Sequence, residues 1–231
     1  IKITLADTTK NHHASIDPKE IAFTGQPQVP VLQIGDEWRT DSTPLASWLD
    51  ELFPEKPLLG STQQERESIL ALDSWVSDSL ILAGFRSAHE GEINAKFRHI
   101  AWRLAAIVSS QTPLPDEIRN AWPDLLKTAP FIKHMMCDVD STESLSEMQA
   151  RVSLQLIENL QGGPFFGGRK DPSLVDFAIF PQVVFNYMLG MDQHLGITRE
   201  PSLKNWLDNI RPFLPKNPLL VPDYMVVNAL P

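Results

Sequence analysis

Several residue types are scarce in this chain of 231 residues, and each scarcity excludes a class of protein. A single cysteine, Cys137, excludes an internal disulfide and any paired-cysteine redox or zinc motif. Only 11 glycines are present, which excludes a collagen-like or flexible glycine-rich chain. No run of 18 uninterrupted apolar residues exists, and the first residues do not resemble a secretory signal. We therefore expect neither a membrane span nor export of the protein.

Positive charge is scarce as well. Twenty lysines and arginines stand against 29 aspartates and glutamates, so the formal net charge is −9, and the basic residues form no cluster. Excess negative charge is repelled by nucleic-acid phosphates and by anionic lipids, so we expect neither as a partner. The apolar fraction of 42% is sufficient for a sizeable core. Together with the single cysteine, these numbers favour a cytoplasmic globular protein.

Strand signals are confined to the beginning of the chain. Residues 1–5 and 29–34 favour strands, and a turn between 29–34 and 38–40 predicts a hairpin. A helix is predicted from Asp41 onward, and beyond a proline-containing linker almost every pattern is helical. We therefore expect an α/β unit at 1–53, a linker at 54–61 and an all-helical unit at 62–231. The helices predicted after the linker span 65–85, 93–108, 116–136 with breaks near Pro123 and Pro130, 144–160, 173–189 and 203–210.

Val29 and Pro30 open the second predicted strand. Proline cannot donate to a strand ladder, so this position belongs at a sheet edge or beside a break. A cis bond before Pro30 would turn the Val29 backbone outward, where it would pair with an extended peptide. Only about 5–6% of such bonds are cis in folded proteins. The residues alone therefore leave both a peptide-binding edge and an ordinary strand start open.

Asp41 and Ser42 stand at the start of the predicted first helix. The Ser42 hydroxyl and the free N–H groups of a helix start favour an anion, and the helix dipole adds to this preference. The Asp41 carboxylate would accept hydrogen bonds from an ammonium group. Together the two residues suit the α-amino-acid end of a ligand, although ordinary helix capping is the commoner role of such a pair.

Ser173 and Asp176 form a predicted capping box at the start of a nearly all-apolar helix, and Pro172 and Phe177 stand at the positions of a hydrophobic staple. We expect this motif to be structural. Cys137 lies in the helical unit, where we expect it to act as a small, buried or half-buried apolar residue.

In this order and at these separations, these motifs resemble the cytosolic glutathione transferase superfamily over nearly the whole chain. The resemblance implies a thioredoxin-like N-terminal domain with a cis Pro30, an all-helical C-terminal domain and a homodimer. It also implies glutathione as co-substrate, with no metal. In the family, the residue at the position of Val29 pairs its backbone with the cysteinyl part of glutathione. The pair corresponding to Asp41 and Ser42 holds the γ-glutamyl end.

The sequence departs from the family pattern at its beginning. The family has a βα unit before the strand that resembles residues 1–5, and the residue that activates the glutathione thiol lies at the start of that helix. Only 29 residues precede Pro30. We expect this unit to be absent from the sequence given, and we therefore name no catalytic residue. The alternative is that residues 1–5 are the first strand of a non-catalytic relative whose first helix has degenerated.

The activity that the resemblance implies is attack of the glutathione thiolate on a hydrophobic small-molecule electrophile. A non-catalytic binding or scaffold protein is one alternative, and a glutathione-dependent lyase, isomerase or etherase using the same site is another. No pattern assigns the electrophile pocket, since most aromatic residues of the long helices are expected in the core. The side chains on those helices that could face a cleft are Trp75, Phe85, Arg86, His89, Trp102 and Tyr187.

Overall fold

The computed structural model describes residues 25, 31–90, 95–111, 114–128, 133, 135–190, 200–215, 218 and 222–229. This part of the chain is mostly helical, with a small two-stranded sheet. The strands are β1 (Val31–Ile34) and β2 (Glu37–Thr40). The α-helices are α1 (Ser42–Leu52), α2 (Gln63–Trp75), α3 (Leu82–Glu90), α4 (Ala95–Gln111), α5 (Asp116–Thr128), α6 (Leu145–Glu158), α7 (Leu174–Met188) and α8 (Pro201–Ile210).

The predicted hairpin is formed by β1 and β2. The strands are antiparallel, with Val31 opposite Thr40 and Ile34 opposite Glu37. A two-residue turn joins them, and its first residue, Gly35, has φ +62°, a conformation that glycine adopts without steric cost. The other predicted strand, at residues 1–5, and the Val29–Pro30 position lie outside the described residues.

Hydrogen bonds attach the segment between α1 and α2, which the sequence predicts as a linker, both to α1 and to the start of α7. The Asp50 carboxylate accepts from the backbone N–H of Leu58 and of Leu59, each at 2.7 Å. The Leu58 carbonyl in turn accepts from the N–H of Leu174, the first residue of α7, at 3.0 Å. Leu59 is fully buried. This connection therefore fixes α1 to the helical part of the molecule.

A continuous helix runs from Gln63 to Glu90. It consists of α2, a π-helical segment at Val76–Ile81 and α3, and the side chains of Val76 and Leu80 are buried. Among the described helices, this one meets a length and hydropathy criterion for crossing a membrane, with a mean hydropathy of 1.3 over its most apolar 18 residues. Core helices of folded domains meet the same criterion.

Helix α7 lies at the centre of the hydrophobic core, as its apolar sequence predicts. Val175, Ile179 and Val183 are fully buried, and Trp206 of α8 packs into the same cluster. The Trp206 ring meets Phe166 edge to face, with ring centroids 5.2 Å apart. Helices α2, α3, α6, α7 and α8 therefore share one core, and Ile107 of α4 and Leu189 form a second, smaller cluster.

One predicted helix break is wrong. Helix α5 continues through Pro123, although a proline removes one backbone hydrogen bond from a helix interior. Contacts with the preceding helices support it: Lys127 Nζ donates to the His89 carbonyl at 2.9 Å, and the Lys127 ammonium lies 5.1 Å from the centre of the Phe97 ring. Tertiary packing therefore overrides the local preference at this position.

The expected burial of Cys137 is also wrong. The residue lies in a 3₁₀ turn at Met136–Asp138, and its side chain is exposed. Its Sγ contacts the carbonyl of Lys133 at 3.5 Å. Because the turn lies outside the regular helices, their apolar spacing does not apply to this residue.

Candidate functional site

The strongest backbone anomaly among the described residues lies at Asp41, between β2 and α1. Its φ is 70° and its ψ is 139°, a conformation that residues other than glycine rarely adopt. Its side chain makes no capping hydrogen bond, and both Asp41 and Ser42 are exposed. Strained conformations of this kind cost of the order of 1–3 kcal/mol and concentrate at binding and catalytic sites.

The first turn of α1 presents donors that suit an anionic ligand. The first N–H groups of a helix have no partner within the helix, and the helix dipole places partial positive charge there. In α1 these groups belong to Ser42 and Thr43, because Pro44 has no N–H and the Leu45 N–H already donates to the Asp41 carbonyl at 3.0 Å. The Ser42 hydroxyl at the same end provides a further donor for a ligand carboxylate.

Two hydrogen bonds to side chains of α2 fix the orientation of this helix start. Thr43 Oγ1 donates to Asp73 Oδ2 at 2.5 Å, and Asp73 is buried three residues before the π-helical segment begins. One turn further along α1, Ser47 Oγ accepts from Arg66 Nη2 at 3.0 Å. These two bonds therefore attach the first turns of α1 to α2.

The structure describes the residues of one of the two predicted glutathione contacts, and the contact itself stays a prediction. Asp41 and Ser42 are adjacent, exposed and at a helix start, as the sequence predicts. Val29 and Pro30 lie outside the described residues, so the contact with the cysteinyl part of glutathione stays a prediction. The same applies to the cis conformation of the Val29–Pro30 bond.

Ser173 and Asp176 have the structural arrangement that the sequence predicts. Asp176 is completely buried, and its carboxylate accepts hydrogen bonds from Ser173 N at 2.8 Å, Ser173 Oγ at 3.1 Å, Phe166 N at 3.1 Å and Trp206 Nε1 at 3.0 Å. Burial raises the pKa of Asp176, and these hydrogen bonds oppose the rise. The carboxylate thus joins α7, the preceding loop and α8.

Three of the side chains considered for an electrophile pocket have structural partners instead. Trp75 Nε1 donates to Gln155 Oε1 at 3.0 Å, and the buried Arg86 donates from Nη2 to the Glu143 carbonyl at 2.7 Å. His89 Nδ1 lies 3.0 Å from the Lys127 carbonyl. Trp102 differs, because it is half exposed and borders a cavity between α4 and α5.

Sequence reasoning missed the side chains that hold the helix start in place. Asp73 is 30 residues from Thr43, and Arg66 is 19 residues from Ser47. Neither pair has a local spacing that a single sequence reveals. The only trace is that Asp73 interrupts the apolar face of its helix, which identifies a buried polar residue but no partner.

The described residues contain no group of three or more histidine, cysteine, aspartate or glutamate side chains placed to hold a metal ion.

Comparison with known proteins gives a single line of evidence. Neither the models of protein families nor the curated protein sequences contain a match to this chain. Among solved structures, the chain is similar to the crystal structure of the β-etherase LigF from Sphingobium sp. strain SYK-6. The TM-score is 0.54 at 21% sequence identity, over 89% of this chain and 82% of the β-etherase chain. At this identity the likeness shows a shared fold and nothing about the reaction.

Proposed function

We propose that the start of α1 binds the γ-glutamyl end of glutathione and that the protein is a glutathione-dependent enzyme of the glutathione transferase superfamily. The Asp41 carboxylate accepts from the ligand ammonium group. The Ser42 hydroxyl and the first N–H groups of α1 donate to the α-carboxylate. Both ligand charges are thereby matched by groups of opposite polarity.

One observation carries this proposal: Asp41 has a strained backbone, makes no capping bond and is exposed at an uncapped helix start. An aspartate that merely capped the helix would accept from an N–H of the first turn. Here the carboxylate makes no such bond, so ordinary capping does not explain the residue. The strain is accounted for by a ligand that needs both groups in this orientation.

The chemistry that we propose is nucleophilic attack by the glutathione thiolate. A free thiol has a pKa of about 8.5, so at neutral pH it is mostly protonated and weakly reactive. In the reaction, the sulfur forms a bond to an electrophilic carbon while the bond from that carbon to a leaving group breaks. The leaving group departs with the electron pair. We assign the role of activating the thiol to none of the described side chains.

The similar solved structure makes ether cleavage the first reaction to test. That protein is a β-etherase by name. In a thiolate-driven cleavage, the carbon–oxygen bond breaks as the carbon–sulfur bond forms, and the released oxyanion takes a proton from solvent. We test ether cleavage before isomerisation because the protein of similar fold carries that activity in its name.

The other features of the proposal come from the family resemblance. We propose a thioredoxin-like N-terminal domain that includes β1, β2 and α1, a cytoplasmic location and a homodimer. Leu52 and Phe53, at the end of α1, are 44% and 41% exposed and offer apolar surface for subunit contact. Light scattering at several protein concentrations tests the oligomeric state.

Binding is tested by calorimetric titration with S-methylglutathione, which cannot form disulfides. We expect saturable binding by the natural protein and at least tenfold weaker binding by the double variant Asp41→Ala, Ser42→Ala. Each charge-assisted hydrogen bond is worth about 1.5–3 kcal/mol, or more than a tenfold change in affinity. The double variant Asp36→Ala, Ser61→Ala changes two exposed residues outside the site and serves as the matched control.

S-methylcysteinylglycine, which lacks the γ-glutamyl group, separates this contact from the rest of the ligand. The natural protein should bind it at least tenfold more weakly than S-methylglutathione, and the Asp41, Ser42 double variant should bind the two ligands alike. Absence of heat with the natural protein contradicts the proposal. Binding without turnover of either an activated aryl halide or an aryl ether would support the scaffold alternative.

A further inference from the structure

A cavity of about 460 Å³ lies between α4, α5 and the C-terminal segment 222–229. We propose that it is a binding site for a small aromatic carboxylate. No residue of the cavity belongs to α1 or the hairpin, so this proposal does not rest on glutathione binding. The side chains that carry the argument are Trp102, Ala105, Ala106, Ser109, Arg119 and Tyr224.

The C-terminal wall of the cavity is built into the fold. Arg103 of α4 donates a hydrogen bond to the Met225 carbonyl. Two residues further on, Val227 N donates to the Met188 carbonyl at 2.7 Å, and Asn228 Nδ2 donates to the Tyr187 carbonyl at 2.7 Å. These bonds join the segment to α4 on one side and to the end of α7 on the other. The wall therefore keeps its place against the two helices.

The aromatic part of the ligand is inferred from the exposed rings. Tyr224 is 80% exposed and Trp102 is 52% exposed, although rings of this size gain free energy when they are covered. The small side chain of Ala106, which is exposed, leaves the space beside it open. A volume of about 460 Å³ lies within the range of small-molecule sites. A flat aromatic ligand would cover both rings at once.

The carboxylate is inferred from the polar groups of the cavity. Ser109 lines the cavity, and its Oγ is buried without a hydrogen-bond partner among the described residues; rotation of this side chain toward the cavity would bring the hydroxyl to an acceptor on a ligand. The Arg119 guanidinium is about half exposed and pairs with Asp116 on the same helix. A guanidinium has five N–H donors, so this exposed pair leaves capacity for a second carboxylate.

The charge of the lining also favours an anion. Among the described residues that line the cavity, Arg119 is the one with a charged side chain. Its partner Asp116 is 76% exposed, so solvent screens the negative charge of that carboxylate. A ligand with one negative charge therefore complements the lining, although the chain as a whole carries −9.

The test uses 2-naphthoate and its neutral analogue 2-naphthalenemethanol as probes, with affinities measured by calorimetry. We expect one saturable site for 2-naphthoate and at least fivefold weaker binding of the alcohol. Arg119→Gln should abolish this preference, and Trp102→Ala should weaken both probes at least tenfold. Arg211→Gln is the matched control, because Arg211 also pairs with an aspartate three residues earlier and is 47% exposed, against 48% for Arg119.

Ala106→Leu provides a second variant that fills the cavity from an exposed position on α4 and should also weaken 2-naphthoate at least tenfold. The proposal is overturned if the natural protein shows no saturable binding of 2-naphthoate. It is equally overturned if Arg119→Gln and Ala106→Leu, both folded by circular dichroism, bind the probe as the natural protein does. The S-methylglutathione titration, run on the same samples, fails or succeeds independently.

Discussion

Two helices of this protein begin with similar residues, but their starts differ in burial and in capping. Helix α7 begins at a buried serine whose N–H and hydroxyl both donate to Asp176, and this carboxylate is completely buried. Helix α1 begins at Asp41, an exposed residue with a left-handed backbone and no capping bond. Each start combines an aspartate and a serine. Only the start of α7 uses its own side chains to satisfy its backbone.

The comparison separates a structural helix start from one available to a ligand. At α7, Asp176 accepts hydrogen bonds from the donors around the helix start, so these donors are not available to a ligand. At α1, the bond between Thr43 and Asp73 attaches the helix start to α2, and Asp41 and Ser42 remain exposed. An exposed helix start that is already held in place by hydrogen bonds to another helix is the arrangement expected of a preorganised anion site.

The largest effect is expected when the closed start is broken. Asp176→Ala removes the acceptor for buried donors on Phe166, Ser173 and Trp206, and each unpaired buried donor is costly. We expect a loss of about 3–5 kcal/mol in the free energy of unfolding, measured by urea denaturation. Asp171→Ala, which changes an exposed aspartate of the preceding loop, is the control and should cost less than about 0.5 kcal/mol. A loss below 1 kcal/mol for Asp176→Ala would contradict this role.

The closed start is also the part that sequence predicts best. Its two key residues are three apart, and local spacing is enough to identify a capping box. The same holds for the amphipathic helices, whose apolar residues recur with the period of a helix. Long-range packing is different: the continuation of α5 through Pro123 depends on contacts with α3 and α4, which no local pattern contains.

A smaller effect is expected when the support behind the open start is removed. Thr43→Val keeps the shape of the side chain but leaves the buried Asp73 carboxylate without this donor. We expect a loss of about 1–3 kcal/mol in the free energy of unfolding, and weaker S-methylglutathione binding because the bond between Thr43 and Asp73 attaches the first turn of α1 to α2. Ser47→Ala, which removes the partner of the more exposed Arg66, should cost less. Unchanged ligand affinity in a folded Thr43→Val protein would show that the bond does not position the site.

The candidate site itself was only partly predictable. The sequence identifies Asp41 and Ser42 as a possible binding pair, because acidic and hydroxyl side chains at a helix start suit both charges of an amino-acid group. It does not reveal the positive φ of Asp41, since residues other than glycine rarely adopt this conformation. It also does not reveal Asp73, whose partner is 30 residues away.

The smallest expected effect on stability, and the one of opposite sign, comes from relaxing Asp41. Asp41→Gly removes the steric strain at φ 70°, which favours folding, while the added freedom of glycine in the unfolded chain offsets part of the gain. We expect the free energy of unfolding to rise by about 1 kcal/mol and the affinity for S-methylglutathione to fall about tenfold, because the acceptor for the ligand ammonium is lost. Asp41→Asn separates the two effects: its side chain has nearly the same shape and keeps the same backbone strain, so its stability should stay close to that of the natural protein while its affinity falls. If Asp41→Gly instead loses stability and keeps its affinity, Asp41 is a structural part of the turn into α1. The starts of α1 and α7 would then both have a structural role.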